Sequence, residues 1–197
     1  MSKGVLFIIS GPSGTGKGTV CEQLLKEDNI FLSISATTRD KRAGEVEGVT
    51  YYYTTEEIFK SMIENGEMLE HAVYSGNYYG TPKKAVEDML SNGKNVILEI
   101  EAQGALKVKA LMPEAIMIFL VPPSIEELRN RLKQRGRESI EEIERRIEAA
   151  KWEFSQSPKY NYVVVNNQLE TCVSDVLNII KKENERQEMI ERLLSEI

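Results

Sequence analysis

Six residues near the start, Val5-Leu-Phe-Ile-Ile-Ser10, run directly into Gly11-Pro12-Ser13-Gly14-Thr15-Gly16-Lys17-Gly18-Thr19. The first run is apolar on both faces and rich in β-branched and aromatic side chains, which predicts a fully buried strand. Val20, Leu24 and Leu25 follow at helical spacing. Strand, glycine loop and helix in immediate succession constrain the chain to an α/β architecture and make a phosphate-binding loop the natural reading. Gly11, Gly14 and Gly16 let the backbone turn so that successive N–H groups point at an anion. The new helix adds its positive end, and Lys17 adds a full charge. One position departs from the strict pattern. The residue after the lysine is Gly18, and the hydroxyl suited to a magnesium ion falls on Thr19. The competing reading is a glycine-rich β-to-α turn with a surface lysine; the strand and three glycines in register with Lys17 favour the anion site.

The 197 residues can bury a sizeable core, and the default is one domain with an insertion or two. No apolar run approaches the roughly 20 residues that span a bilayer, and no secretory signal pattern opens the chain. Cys21 and Cys172 form no metal or redox spacing and are expected as reduced core thiols of a cytoplasmic protein. A net charge of −6 argues against nucleic acid as a partner. The arginines are clustered: Arg39 and Arg42, a dense block from Arg129 to Arg146, and two in the tail, with none between Arg42 and Arg129. An acidic chain that gathers its guanidinium groups this way is suited to concentrated negative charge.

In chain order, a helix is predicted over about 16–27 and a second buried strand over 30–36. A polar loop (37–45), an aromatic strand (49–54), a helix capped by Thr55 and two short strands around a turn at 75–77 follow. This β-rich patch, about 36–82, reads as an inserted subdomain. The alternation then resumes: helix 82–92, strand 95–101, helix 104–112, strand 115–121, helices after Ser124 and from Ile140, strand 162–165, and a long amphipathic helix from about Glu170. Strands joined by helices imply a parallel sheet covered on both faces, with ligands beyond the strands' carboxyl ends. Arg39 and Arg42, on a loop leaving a strand at that end, could join Tyr51 and Tyr79 to cradle a second phosphate. A solvated charged loop beside packing tyrosines is the alternative.

Four motifs then occur in order: the loop 11–19, Ser35-Ala-Thr-Thr-Arg-Asp-Lys-Arg-Ala-Gly-Glu45, Ser75-Gly-Asn-Tyr-Tyr-Gly-Thr81 and Leu98-Glu-Ile-Glu-Ala-Gln-Gly104. Through them the chain resembles the guanylate kinase family of bacterial type, from about Val5 to Leu177. The resemblance implies a P-loop NTPase fold, with a five-stranded parallel sheet flanked by helices, a small mixed β/α insertion that binds GMP and a helical lid. The implied division is a core ATP-binding domain (1–35, 83–124 and 157–197), a GMP-binding insertion (36–82) and a lid (125–156). It also implies ATP-dependent phosphorylation of GMP, with dGMP as a further acceptor, Mg2+ as cofactor and a monomer or small homo-oligomer away from any membrane.

Residue by residue, the resemblance puts the acceptor phosphate on Arg39, Arg42, Tyr51 and Tyr79. It puts guanine near Ser35, Glu70, Gly80 and Thr81, with Glu99 beside GMP. A carboxylate can accept both N–H donors of guanine's pairing edge while a hydroxyl donates to its carbonyl, a match adenine does not offer. ATP falls to residues 11–19 with Arg131 and Asn166, and the transferring phosphate to Lys17, Arg42, Arg135 and Arg146. Thr19, Glu99 and Glu101 are the candidate magnesium residues, directly or through water. The arginine block reads equally as a charged helical hairpin laced with Glu138, Glu141, Glu142 and Glu144, and His71, the sole histidine, as a packing or surface residue. Other classes remain open: a non-catalytic module of the same fold, a GTPase, for which no Asn-Lys-x-Asp segment is present, and a kinase for another monophosphate.

Overall fold

The computed structural model describes residues 3–74, 76–134, 136 and 139–196. Its main sheet is five-stranded and wholly parallel. The strands are β1 (Leu6–Ser10), β2 (Ile30–Leu32), β7 (Asn95–Glu99), β8 (Ile116–Val121) and β9 (Tyr162–Val165), in the order β2-β7-β1-β8-β9. The apolar run at the start is the central strand, and alternation decides what each side chain meets. Leu6 and Ile8 join a cluster with Val86 and Leu90 of α3 (Lys83–Ser91) and Ala105 and Val108 of α4 (Ala102–Leu111). Phe7 and Ile9 point the other way, onto Val20 and Leu24 of α1 (Lys17–Leu24) and Cys172, Val176 and Ile180 of α7 (Leu169–Ser195). Both faces being covered, the strand has no polar side. Cys21 and Cys172 are buried free thiols, and burial pushes the Cys172 thiol up to about 11.

A second sheet, in the order β4-β3-β6-β5, is built from β3 (Ala36–Thr37), β4 (Tyr52–Tyr53), β5 (Met68–Tyr74) and β6 (Asn77–Pro82). It carries α2 (Glu56–Glu64), whose Thr55 cap accepts a hydrogen bond from the Ile58 N–H. Its core is small: Ala36, Phe59 and Met68. Two helices, α5 (Ile125–Gln134) and α6 (Ile140–Ser155), close a third cluster of Leu128, Leu132, Ile143, Ile147 and Ala150. Ser139 starts α6 with a reciprocal capping box to Glu142. Among the described residues no helix is long and apolar enough to cross a membrane.

Three expectations are corrected. The strand foreseen over 30–36 is two strands in different sheets. Ile30–Leu32 pair with β7, the Ser33 N–H makes the last link to that sheet at Ile97, and Ser35 already accepts from Tyr52 of the second sheet. Local propensity marks extended backbone but not which partner it finds. The strand foreseen over 49–54 shrinks to Tyr52–Tyr53, because Val49 and Thr50 are held in a turn whose N–H groups both reach the Val46 carbonyl. The strand foreseen over 95–101 stops at Glu99, and Glu101 instead precedes α4, accepting the Ala105 N–H. Ser75, of the foreseen turn, and Arg135, Arg137 and Glu138, of the foreseen lid, lie outside the described residues.

Candidate active site

The loop between β1 and α1 is shaped by close approaches that only glycine permits. Gly11 has φ +142°, and a Cβ there would lie 2.2 Å from the Leu120 carbonyl oxygen. Gly16, at φ +88°, starts the helix in the left-handed region, with Asn166 Nδ2 only 2.5 Å from where its Cβ would be. That amide of Asn166 donates to the Thr15 carbonyl at 2.8 Å and is buried, while Arg131 donates to the Asn166 carbonyl at 2.9 Å and to Glu127 at 2.8 Å. Thr15 donates its hydroxyl to the Pro12 carbonyl. Lys17 curls back over the loop, donating to the carbonyls of Gly11 and Pro12. Burial lowers the Lys17 pKa, and Glu153, Glu99 and Glu101, in that order, oppose the shift. Helices α5 and α6 both reach the loop. Leu128 and Leu132 lie against Gly14, and Arg146 donates to the Ser13 hydroxyl at 2.7 Å. Beside Gly18, the Glu99 carboxylate is 3.6 Å from the place a Cβ would take, an ordinary contact distance; Thr19 is exposed.

A cavity of about 400 Å³ opens between the two sheets, lined among others by Ser35, Tyr51, Glu70, Tyr79, Gly80 and Glu99. Glu70 is 8% exposed and receives the Thr81 hydroxyl on Oε1 at 2.8 Å. Burial raises its pKa; the Thr81 hydrogen bond and the charge of Lys107 work against that rise. Its Oε2 lies 3.1 Å from where a Cβ on Gly104 would stand. At the far side Arg39 donates to Glu45 at 2.6 Å and stacks 5.5 Å above the Tyr51 ring, which meets the Tyr79 ring edge-on at 5.9 Å. Glu45 also accepts the Arg42 N–H and the Tyr53 hydroxyl, both at 2.7 Å, and the Arg39 guanidinium foremost holds its carboxyl down at about 2. The Arg42 side chain is exposed. His71 lines the cavity, and burial lowers its pKa.

The structure thus gathers residues 11–19, Arg131, Arg146 and Asn166 at one end of the sheet, and Ser35, Arg39, Tyr51, Glu70, Tyr79, Gly80 and Thr81 around the cavity. Arg135 is not among the described residues. Glu101 and Tyr74 line both the cavity and a cleft of about 340 Å³ that runs along Ser13, Arg146 and Glu153. Two spaces therefore meet at Glu101 and Tyr74, an arrangement that can hold two ligands end to end. Sequence reasoning missed Glu45 as the holder of Arg39, Tyr53 as a donor to Glu45, Gly104 and Lys107 near Glu70, and Glu153 as a charge acting on Lys17. Glu45 and Gly104 each end a quoted motif. Glu153 was visible in principle, as a charge on the inward stripe of α6 that includes Ile143, Ile147 and Ala150.

A family model described as guanylate kinase matches residues 3–183. A guanylate kinase of Oceanobacillus iheyensis is 50% identical over 196 residues, covering 99% of this chain and 95% of the relative. One from Clostridium perfringens is 51% identical over 196 residues, covering 99% and 91%. Among solved structures, the guanylate kinase of Anaplasma phagocytophilum superimposes with a TM-score of 0.73 at 39% identity, covering 92% of this chain and 87% of that one. A gluconokinase from Sinorhizobium meliloti, at 15% identity and a TM-score of 0.54, shares the fold.

Proposed function

The chain belongs to the guanylate kinase family, enzymes that phosphorylate GMP to GDP with ATP, and on that premise we propose which of its residues do the work. The observation that carries the reading is the meeting of the two spaces at Glu101. The loop 11–19 takes the ATP phosphates on its N–H groups, with Lys17 leaving its carbonyl partners to reach the terminal ones. Residues 36–82 take GMP. Arg39 and Arg42, with Tyr51 and Tyr79, hold its phosphate; Glu70, Thr81, Ser35 and Gly80 hold guanine, and Glu99 flanks it. The ribose 2′-hydroxyl has no assigned partner in this scheme, so dGMP is a second acceptor.

In the transfer, an oxygen of the GMP phosphate forms a bond to the γ-phosphorus of ATP. The bond from that phosphorus to the bridging oxygen breaks, and ADP leaves. The attacking oxygen is already anionic, so no side chain need remove a proton. What remains is to align two polyanions and stabilise spreading negative charge, the task of Lys17, Arg42, Arg135 and Arg146. Arg146 already rests on Ser13 of the loop, which supports this role. Closure of residues 125–156 over the loop would exclude water and limit ATP hydrolysis. Arg131 and Asn166 brace the loop at the nucleotide's base end.

Nucleotide kinases of this kind work with Mg2+, and the residues fit it. Thr19, Glu99 and Glu101 offer oxygen donors, Glu99 lies beside Gly18, and no set of three or more acidic, His or Cys side chains forms a closed cage among the described residues. A magnesium ion that keeps water and phosphate ligands needs such a partial set. When bound it neutralises phosphate charge. The reduced thiols of Cys21 and Cys172 agree with a cytoplasmic setting. An acceptor screen with ATP and magnesium tests the whole reading: turnover with GMP and dGMP, and at least about a hundredfold less with AMP, UMP and dTMP. Equal use of AMP overturns the role of Glu70.

A further inference from the structure

The last helix outruns the body it packs on. Up to Glu183, α7 lies over α1 and β9 and buries Cys172, Val176, Ile180 and Glu183. Glu183 receives the hydroxyl of Tyr162, the first residue of β9, so here the helix has come back to the starting edge of the sheet. It continues to Ser195, about three turns or roughly 18 Å further. Among the described residues, none of that extension is buried. Its composition is not that of a solvated face. About five turns separate Ile190 from Cys172 and Leu194 from Val176, so the stripe that closes the core runs on into water. Met189 and Leu193 widen it, each one turn from the other. Met189, Ile190, Leu193 and Leu194 are 65%, 41%, 55% and 64% exposed. Single exposed apolar side chains are ordinary, whereas four on one face within two turns mark a surface that something covers. Packing of such a face is also what stabilises a helix, and the single chain gives this one no cover.

We propose that this stripe is the seam of a homodimer, in which the α7 extension of a second copy packs antiparallel on it. Charge selects the occupant and its direction. Residues 181–186 carry Lys181, Lys182 and Arg186 against Glu183 and Glu185, a positive surplus. Residues 187–196 carry Glu188, Glu191 and Glu196 against Arg192, a negative one. Antiparallel pairing lays each basic stretch along the other's acidic stretch, and parallel pairing would set like on like. With the two-fold axis near Glu191, Met189 faces Leu193 of the second copy and Arg186 faces its Glu196. The Arg186 side chain is largely exposed, and its ion pair with Glu183 at 3.3 Å holds it at the base of the stripe. Antiparallel extensions also leave the two bodies at opposite ends, where they do not collide. A seam of three turns lies at the lower end of specific interfaces, below roughly 1,200 Å², so the association is micromolar. The extension leaves from the starting edge of the strands, while the loop 11–19 and Asn166 follow their carboxyl ends. Pairing therefore leaves the nucleotide site open.

The test is sedimentation equilibrium of the full chain from about 1 to 200 μM, where the parent is expected to pass from monomer to dimer with Kd of about 1–100 μM. Leu193→Glu should raise that Kd at least about tenfold. Its kcat with GMP should stay within about twofold of the parent, which shows that the body is intact. Val49→Glu, at an exposed apolar residue of the 36–82 insertion, should leave Kd within about twofold. Arg186→Glu and Glu196→Arg should each weaken self-association about three- to tenfold. An equal mixture of these two variants should return to the parent value, because every facing pair again joins opposite charges. A misfolded chain would rescue nothing, so the mixture also answers for folding. A parent that stays monomeric at the highest concentration overturns the inference, and so does a Leu193→Glu variant that pairs like the parent. A monomer whose stripe instead binds vesicles of anionic phospholipid, with loss on Leu193→Glu, overturns it in favour of a membrane surface. A mixture no tighter than its separate components overturns the antiparallel pairing.

Discussion

Thr81 donates its hydroxyl to Glu70 Oε1 across 2.8 Å, tying β6 to β5 inside the cavity and leaving Oε2 fenced by Gly104. One acceptor is thus fixed in place before any base arrives. Burial raises the pKa of this carboxyl, because folding disfavours its charged form.

Glu70→Gln is therefore expected to change function and stability in opposite directions. Turnover of GMP should fall at least about a hundredfold in kcat/KM, because an amide cannot accept two donors on one edge. The nucleotide-free protein should melt a few degrees higher at neutral pH. The sign follows from linkage. An acid whose folded pKa is raised binds protons more readily folded than unfolded, so its penalty is absent below the unfolded value near 4.3 and grows as pH rises through the folded one. Calorimetric scans at pH 7 and near pH 4 check this, with the gap between variant and parent narrowing at the lower pH.

Glu45→Ala releases Arg39 from the contact that aims it. KM for GMP should rise about tenfold, with kcat and KM for ATP within about threefold of the parent. Because the carboxyl is depressed to about 2, its contribution is present above the unfolded value near 4.3 and is lost only as pH falls toward 2. Glu45 should thus add no inflection to the pH profile of KM for GMP between pH 5 and 9 (an order-of-magnitude window set by that depression); such a step, absent in Glu45→Ala, refutes the assignment.

Lys17→Met and Arg146→Ala address the transferring phosphate. Loss of about a thousandfold in kcat for the first and about a hundredfold for the second is expected, with KM for GMP little changed. Single-turnover measurements separate these chemical losses from slower product release.

Gly104→Ala adds one methyl group 3.1 Å from Glu70 Oε2. The carboxylate must yield by a few tenths of an ångström. KM for GMP should rise about three- to tenfold while KM for ATP is unmoved, even though alanine suits the helix better. An unaltered KM for GMP would show that the fence does not matter.

The main sheet could be read from the chain because its strands are buried on both faces and its helices carry apolar stripes. Phe7 and Ile9 differ in destination from Leu6 and Ile8, yet one unbroken apolar run encodes both. The break at Ser33–Ser35 could not be read, since extended backbone looks alike in either sheet and the partner, β7 or β6, comes from elsewhere in the chain. For the site, spacing and chemistry reached the phosphate loop and offered Arg39, Arg42, Tyr51 and Tyr79 for a second phosphate; Ser35, Glu70, Gly80 and Thr81 came from motif resemblance. Groups acting through a neighbour escaped both. Glu45 matters through Arg39, and Gly104 through the space it leaves. Each relation spans a contact that the linear order conceals.

The small cluster between α5 and α6 has its own consequence. Leu128, Leu132, Ile143, Ile147 and Ala150 pack on one another, and among the described residues Phe154 alone is common to this cluster and the large one beneath the main sheet. The helical pair is greasy inside and self-sufficient, like a clasp with its own spring. Swinging it about Phe154 would expose little oil to water beyond the patch against Gly14, so solvent neither drives nor resists the swing. Were the pair to swing, charge would set the direction.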